Sequence, residues 1–119
     1  MAGYRLTHVA QADIIAILAW SEEQFGEEAR KRYEALIATA IRDAASSTSD
    51  IGHTTRPELG DGVFSWHLAQ SRTSASEKAV RRPRHFLICR REGDVLVIGR
   101  VLHDAMEPRR HVDSQQAWD

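Results

Sequence analysis

The sequence predicts an α+β fold: an N-terminal strand, an antiparallel α-helical hairpin, then three antiparallel strands, in the order β-α-α-β-β-β. Three observations predict it. Apolar residues recur at helical spacing through two consecutive segments in the first half of the chain. Only "FGE" separates those segments, which makes neighbouring antiparallel helices of them. In the second half, apolar and polar residues alternate in short runs bounded by polar, glycine-bearing stretches, the pattern of half-buried strands. A helical hairpin packed on one face of a small, mostly antiparallel sheet buries both sets.

Each element has its own justification. "YRLTH", residues 4 to 8, alternates and reads as a short strand. Ile14, Ile17 and Leu18 then fall at i, i+3 and i+4, with Phe25 two turns further on, which predicts a helix over about residues 9 to 24 with one buried stripe. Gly26 supplies the positive φ that closes it. In the next segment Ala29, Tyr33, Leu36, Ile37, Ala40, Ile41 and Ala44 keep helical spacing, and Glu27 and Glu28 complement the exposed N–H groups of the first turn. "SSTSD", residues 46 to 50, ends this helix because its side chains compete for backbone hydrogen bonds. A polar connection containing "GHTTRPELGDG" follows. "VFSWHLAQ" alternates Phe64, Trp66 and Leu68 against Ser65, His67 and Ala69, a strand. "HFLICRR" and "DVLVIGRVLH" are two more, joined at Glu92 and Gly93 in a tight hairpin. Trp20, Tyr33 and Trp66 read as core aromatics, whereas Trp118 in the polar tail fits either insertion into a partner or a fraying end.

A chain of 119 residues encloses one core, so residues 1–119 form a single domain, with a flexible loop over about 71–85 and a frayed tail after about 112. No apolar run approaches the roughly 18 residues of a membrane span, and the start lacks the basic-then-apolar pattern of a secretory signal, which leaves the cytoplasm as the expected compartment. Cys89 is the only cysteine; it excludes an internal disulfide, and "FLICR" marks it as a buried thiol. The net charge of −1 hides a division. Residues 1 to 51 hold five Lys or Arg against eight Asp or Glu, and residues 78 to 111 hold nine against four. A cationic second half suits phosphate or an acidic partner surface.

Several chemistries are absent from the sequence. It has no phosphate-cradling glycine loop, no H-E-x-x-H and no G-x-S-x-G, and its six histidines never fall at i, i+4 in a predicted helix, so neither a cofactor nor a metal site is expected. What stands out is cationic: Arg90 and Arg91 end one strand, Arg100 lies inside the next, His103 closes it, and Arg109, Arg110 and His111 follow. Period-two alternation puts Arg100 on one face with Leu96, Ile98 and Leu102, so its guanidinium either pairs with a carboxylate or lines an open groove. His103 either caps its strand through the backbone or serves proton transfer or phosphate contact.

"YRLTHVAQADI", "FGEEARKRYEALIATAI", "DIG" with Arg56, "LGDG" and "HFLICRREGDVLVIGRVLHDAMEPRRH" are together similar, in that order, to the ParE toxins of bacterial type II toxin-antitoxin systems, within the RelE/ParE superfamily. The resemblance covers nearly the whole chain, and residues 71 to 85 depart from it by lengthening a loop. It implies a growth-inhibiting toxin neutralised by a cognate antitoxin. It also implies that the antitoxin lays a helical segment along the groove between hairpin and sheet. ParE members are known for poisoning DNA gyrase, RelE members for cleaving mRNA on the ribosome. A nuclease here would use His103, Arg100 and Arg90; a gyrase-binding toxin would use Arg90, Arg100, His103, Arg109, Arg110 and His111 for contact and have no catalytic residue. Lysine occurs only at 31 and 78 and both tyrosines lie in the first third, so proton-transfer groups are scarce and binding is favoured over cutting. Direct contact of the basic end with nucleic acid is the less favoured reading.

Overall fold

The computed structural model describes residues 3–47, 51–72, 80, 82–112 and 118–119. Strand β1 (Gly3–Leu6) leads into helices α1 (His8–Phe25) and α2 (Glu27–Ser46). Strands β2 (His53–Thr55), β3 (Phe64–His67), β4 (His85–Glu92) and β5 (Val95–His103) follow. They form one sheet in the order β1-β5-β4-β3-β2, antiparallel except for the parallel pair β1–β5. The expected order of elements is present with one addition: four strands, not three, follow the hairpin. The extra one is β2, three residues inside a stretch that sequence marks only as polar. Its register on β3 sets His53 opposite Trp66 and Thr55 opposite Phe64, and the His53 ring stacks on Phe64 at 4.1 Å between centroids. Much of the loop expected over 71–85, and most of the tail after 112, lie outside the described residues.

Local chemistry explains the joints. Thr7 caps α1, its Oγ1 accepting from Ala10 N at 3.0 Å and donating to the Gly99 carbonyl at 2.9 Å, which ties the helix start to β5. One residue joins the helices: Gly26, at φ +94°, whose N–H bonds to Glu22 O while its own carbonyl accepts from Arg30 N. At the far end of α2, Arg91 donates through Nη2 to the carbonyls of Ala44, Ala45 and Ser47, groups that a helix C-terminus otherwise leaves unpaired.

The sheet is covered on both faces. Against the helices lie Trp66, Leu87, Cys89, Leu96, Ile98 and Val101, packed with Tyr33, Leu36, Ile37, Ala40 and Ile41 of α2. On the other face Phe86, Ile88, Val97 and Leu102 meet Leu59, Val63 and Trp118. Burial pushes the Cys89 thiol well above its ordinary range, so it packs as a small apolar group. Three aromatic expectations are overturned. Trp20 is 53% exposed because it lies across the helix from the stripe of Ile14, Ile17 and Leu18, and Phe25, 68% exposed at the tip of the hairpin, rests edge-on against Trp20. Trp118 is buried.

Strict alternation also breaks inside β5. Ile88 pairs with Arg100 but Cys89 with Ile98, which leaves Gly99 as an extra residue, a β-bulge. Before it Leu96 and Ile98 face the helices; after it Val101 does, and Leu102 joins Val97 on the opposite side. The predicted shared face of Leu96, Ile98, Arg100 and Leu102 therefore does not exist.

Gly52 has no room for a side chain: at φ +88°, a Cβ there would sit 2.8 Å from Cζ3 of Trp66. Gly52→Ala is expected to cost about 2 kcal/mol, from backbone strain and overpacking together. Chemical denaturation would measure it, and a variant as stable as the parent would show that the Trp66 ring yields freely.

Candidate functional site

At the bulge, Arg100 sits beside the carboxylate of Asp13 on α1, Nε donating to Oδ2 at 2.7 Å and Nη2 to Oδ1 at 3.0 Å. Both side chains are largely buried, 20% and 15% exposed. The strand pairing of β1 stops at Leu6 opposite Ile98, and just past that point the Val101 N–H donates to Asp13 Oδ2 at 2.9 Å. Asp13 thus does at the open edge of β5 what a neighbouring strand would do, and it neutralises the guanidinium as well. The remaining Arg100 nitrogen, Nη1, donates to the His111 carbonyl, pinning the turn that carries Arg109 and Arg110. Of the two readings of Arg100, the carboxylate pair is the one realised.

His103 closes β5 opposite His85, their rings edge to face at 5.2 Å. Its Nδ1 accepts from Ala105 N at 3.0 Å, the backbone cap expected of a strand-ending histidine. Around it the antiparallel strand ends gather a polar network. The Tyr33 hydroxyl accepts from Arg84 N at 3.1 Å and so donates its hydrogen to His85 Nδ1, at 2.6 Å. His67 Nδ1 accepts from Ala69 N, and its Nε2–H donates to Asp104 Oδ2 at 3.1 Å. Arg84 Nε donates to the other Asp104 oxygen, also at 3.1 Å. Every imidazole in this group therefore has its Nδ1 lone pair occupied.

The network sets its own protonation. Burial, reinforced by the neighbouring His103, lowers the His85 pKa to about 4. Burial likewise pushes the Tyr33 hydroxyl up to about 12. Partial burial pulls the Asp104 carboxyl upward, but the hydrogen bonds from His67 and Arg84 outweigh it and hold the group below its ordinary value.

Arg90 stands elsewhere. It pairs with Val97, six residues before His103 on β5, a separation of roughly 20 Å along the strand. Its guanidinium lies over the Trp118 ring, 4.5 Å from the centroid, and donates to Glu92 at 2.8 Å. That hydrogen bond holds the Glu92 carboxyl below its ordinary value. Arg5 completes the group by donating to the carbonyls of Trp118 and Asp119. Arg109, Arg110 and His111 are exposed in and after the 3-10 turn Pro108–Arg110.

The structure thus joins Arg100 to the 109–111 turn, sets His103 within a separate polar cluster, and leaves Arg90 apart. Sequence reading missed Asp13, His67, His85, Arg84 and Asp104. A signal for Asp13 was present: it is the one acidic or basic side chain other than histidine between His8 and Ser21. His85 and His103 begin one strand and end its hairpin partner, so antiparallel pairing had to bring them together. His67 and Arg84 carry no such mark. Among the described residues, no group of three His, Cys, Asp or Glu is placed to hold a metal ion, and no helix is long and apolar enough to cross a membrane.

Residues 4–108 match a family described as the ParE toxin of type II toxin-antitoxin system, parDE. A solved structure titled "Chromosomal ParDE TA system from P. aeruginosa" is similar with a TM-score of 0.62 and 19% sequence identity, over 87% of this chain and 96% of that chain. No curated protein matches the sequence.

Two results are expected. Neutral His85 takes up a proton readily when unfolded, near pH 6.5, and only near 4 when folded, so the unfolded state binds more protons in between. Stability should therefore fall as pH drops through that window, and thermal melts of His85→Gln should show a shallower fall; an identical slope would mean that other groups dominate. For the ion pair, a double-mutant cycle with Asp13→Asn and Arg100→Gln should return a coupling of about 2 kcal/mol. Simple additivity would show the two side chains to be energetically independent.

Proposed function

The chain belongs to the ParE toxin family of type II toxin-antitoxin systems, and from that premise we propose that it is a non-enzymatic toxin that binds DNA gyrase, stops supercoiling in the cytoplasm and is neutralised by a cognate antitoxin. The antitoxin on this reading lays a helical segment in the groove between hairpin and sheet. One observation carries the choice of binding over cutting: of the residues expected to serve a nuclease, Arg90 and Arg100 lie apart from His103 and are already engaged with other partners.

Cleaving RNA takes a base for the 2′-hydroxyl, an acid for the leaving oxygen and a cation at the phosphorane, all within hydrogen-bond reach. The lone pair of His103 Nδ1 is held by the Ala105 N–H, so its neutral ring carries the hydrogen on Nε2 and offers a donor, not a base. Arg100 is committed to Asp13 and to the His111 carbonyl. Arg90 lies roughly 20 Å along the sheet from His103. The face of the sheet opposite the helices is occupied largely by Leu59, Phe86, Ile88, Leu102 and Trp118, and the Arg56 guanidinium beside Phe86 is engaged with the Ser65 hydroxyl at 3.0 Å.

The same features suit a gripping surface. Arg109 and Arg110 are exposed and permanently charged, and the bond from Arg100 to the His111 carbonyl holds their turn in place before a target arrives. Preordering of this kind lowers the entropy lost on binding. His103 contributes a donor, and Arg90 a second cationic point on the Trp118 ring.

Purified protein should block gyrase supercoiling and leave mRNA intact on translating ribosomes. The double substitution Arg109→Ala/Arg110→Ala should raise the concentration needed for inhibition by about tenfold or more with an unchanged melting temperature. Codon-phased mRNA cleavage that disappears in His103→Ala would instead establish the ribonuclease reading.

A further inference from the structure

The outer face of α1 has no counterpart in the fold and no part in the site above. Along it Ile15 is 70% exposed, Trp20 53% and Val9 38%. Apart from His8 at its start, the only acidic or basic group in the helix before Glu22, Asp13, is spent on Arg100 and the Val101 N–H. Four turns of helix thus present an uncharged, largely apolar surface to water, which soluble domains rarely leave uncovered.

We propose that this face packs against the same face of a second copy of the chain, the two α1 helices antiparallel about a two-fold axis near Ile15. The pattern itself selects that occupant. At 3.6 residues per turn, Ala12, Ala16 and Ala19 run down the middle of the exposed side. Val9 and Trp20 lie along one flank, and His8, Ile15 and Glu22 along the other. In a two-fold antiparallel pair like flank meets like flank. Centring the pair near Ile15 sets Val9 of each protomer against Trp20 of its partner, and Ile15 against its own copy. On that second flank His8 of each protomer then meets Glu22 of its partner, which gives each basic or dipole-positive helix start an acidic neighbour. An unrelated partner would not require complementary residues at equal distances from one centre, whereas a second copy does.

The alanines let the helix axes approach to near 8 Å, the close end of the usual range. Edge contact with Phe25, at 5.6 Å between centroids, holds the Trp20 ring at the rim. One helix pair buries less than the roughly 1,600 Å² of a standard interface, so the dimer belongs in the micromolar range or weaker.

Sedimentation velocity on the purified chain, from low to several hundred micromolar, tests this. The expected result is a monomer-dimer equilibrium, weakened by about tenfold or more in Ile15→Lys. His8→Glu should weaken it too, and His8→Glu/Glu22→Lys should restore it. These positions are exposed, so circular dichroism should show unchanged helix content in every variant. A monomer at the highest concentration, or a dimer indifferent to Ile15→Lys, would overturn the proposal. So would a chain that assembles through this face only after an antitoxin is added, which would assign the surface to that partner.

Discussion

The interaction on which the rest of the structure depends is the contact of Asp13 with Arg100 and the Val101 amide. A helix whose other carboxylates, Glu22 and Glu23, lie near its far end brings one carboxylate to the place where a sheet edge runs out of strand. That carboxylate answers two physical demands at once. An unpaired edge amide and a partly buried guanidinium would each cost free energy on its own, and a single side chain meets both. Because Arg100 also reaches the His111 carbonyl, the contact extends from α1 through β5 to the turn that bears the exposed arginines. Fold and proposed binding surface share this joint, so damage to it would affect both the stability of the fold and the placement of that turn.

Much of the fold was legible because its largest elements obey simple periods. The buried side of α2, from Tyr33 through Ala44, follows helical spacing closely, and β4 alternates without interruption from Phe86 to Cys89. Legibility failed where structure depends on partners distant in sequence. β2 is only three residues long and is a strand because β3 is beside it. Trp20 reads as core by its size, but its angle on the helix puts it outside. In β5 period-two counting holds up to Gly99 and then inverts; the glycine inside the strand is the one mark the bulge leaves, and counting by twos passes over it.

Candidate site residues were legible as residue types and not as a constellation. The cationic character of the second half follows from counting charges. That Arg100 is neutralised, that His103 is capped by a backbone amide and that Arg90 belongs with Trp118 and Glu92 are all facts of packing. A list of basic residues near the end of a chain short of lysine and of late tyrosine favours a protein-binding face over an RNA-cleaving centre but does not decide between them. What separates them is the state of each side chain's lone pairs and hydrogens, which in this protein is set by neighbours far away in the sequence.

The extra residue at Gly99 acts as a half-period phase shift in the last strand. Upstream of it the odd-numbered positions point away from the hairpin; downstream they point toward it, which is how His103 arrives on the same side as His85 and the hydroxyl of Tyr33. Had the strand run on in phase, that imidazole would emerge on the opposite side of the sheet and Leu102 would lie beneath the helices. Inserting or deleting one residue between Ile98 and Val101 therefore exchanges the two sides of everything that follows, so the length of this short stretch constrains the protein as strongly as the identity of its residues.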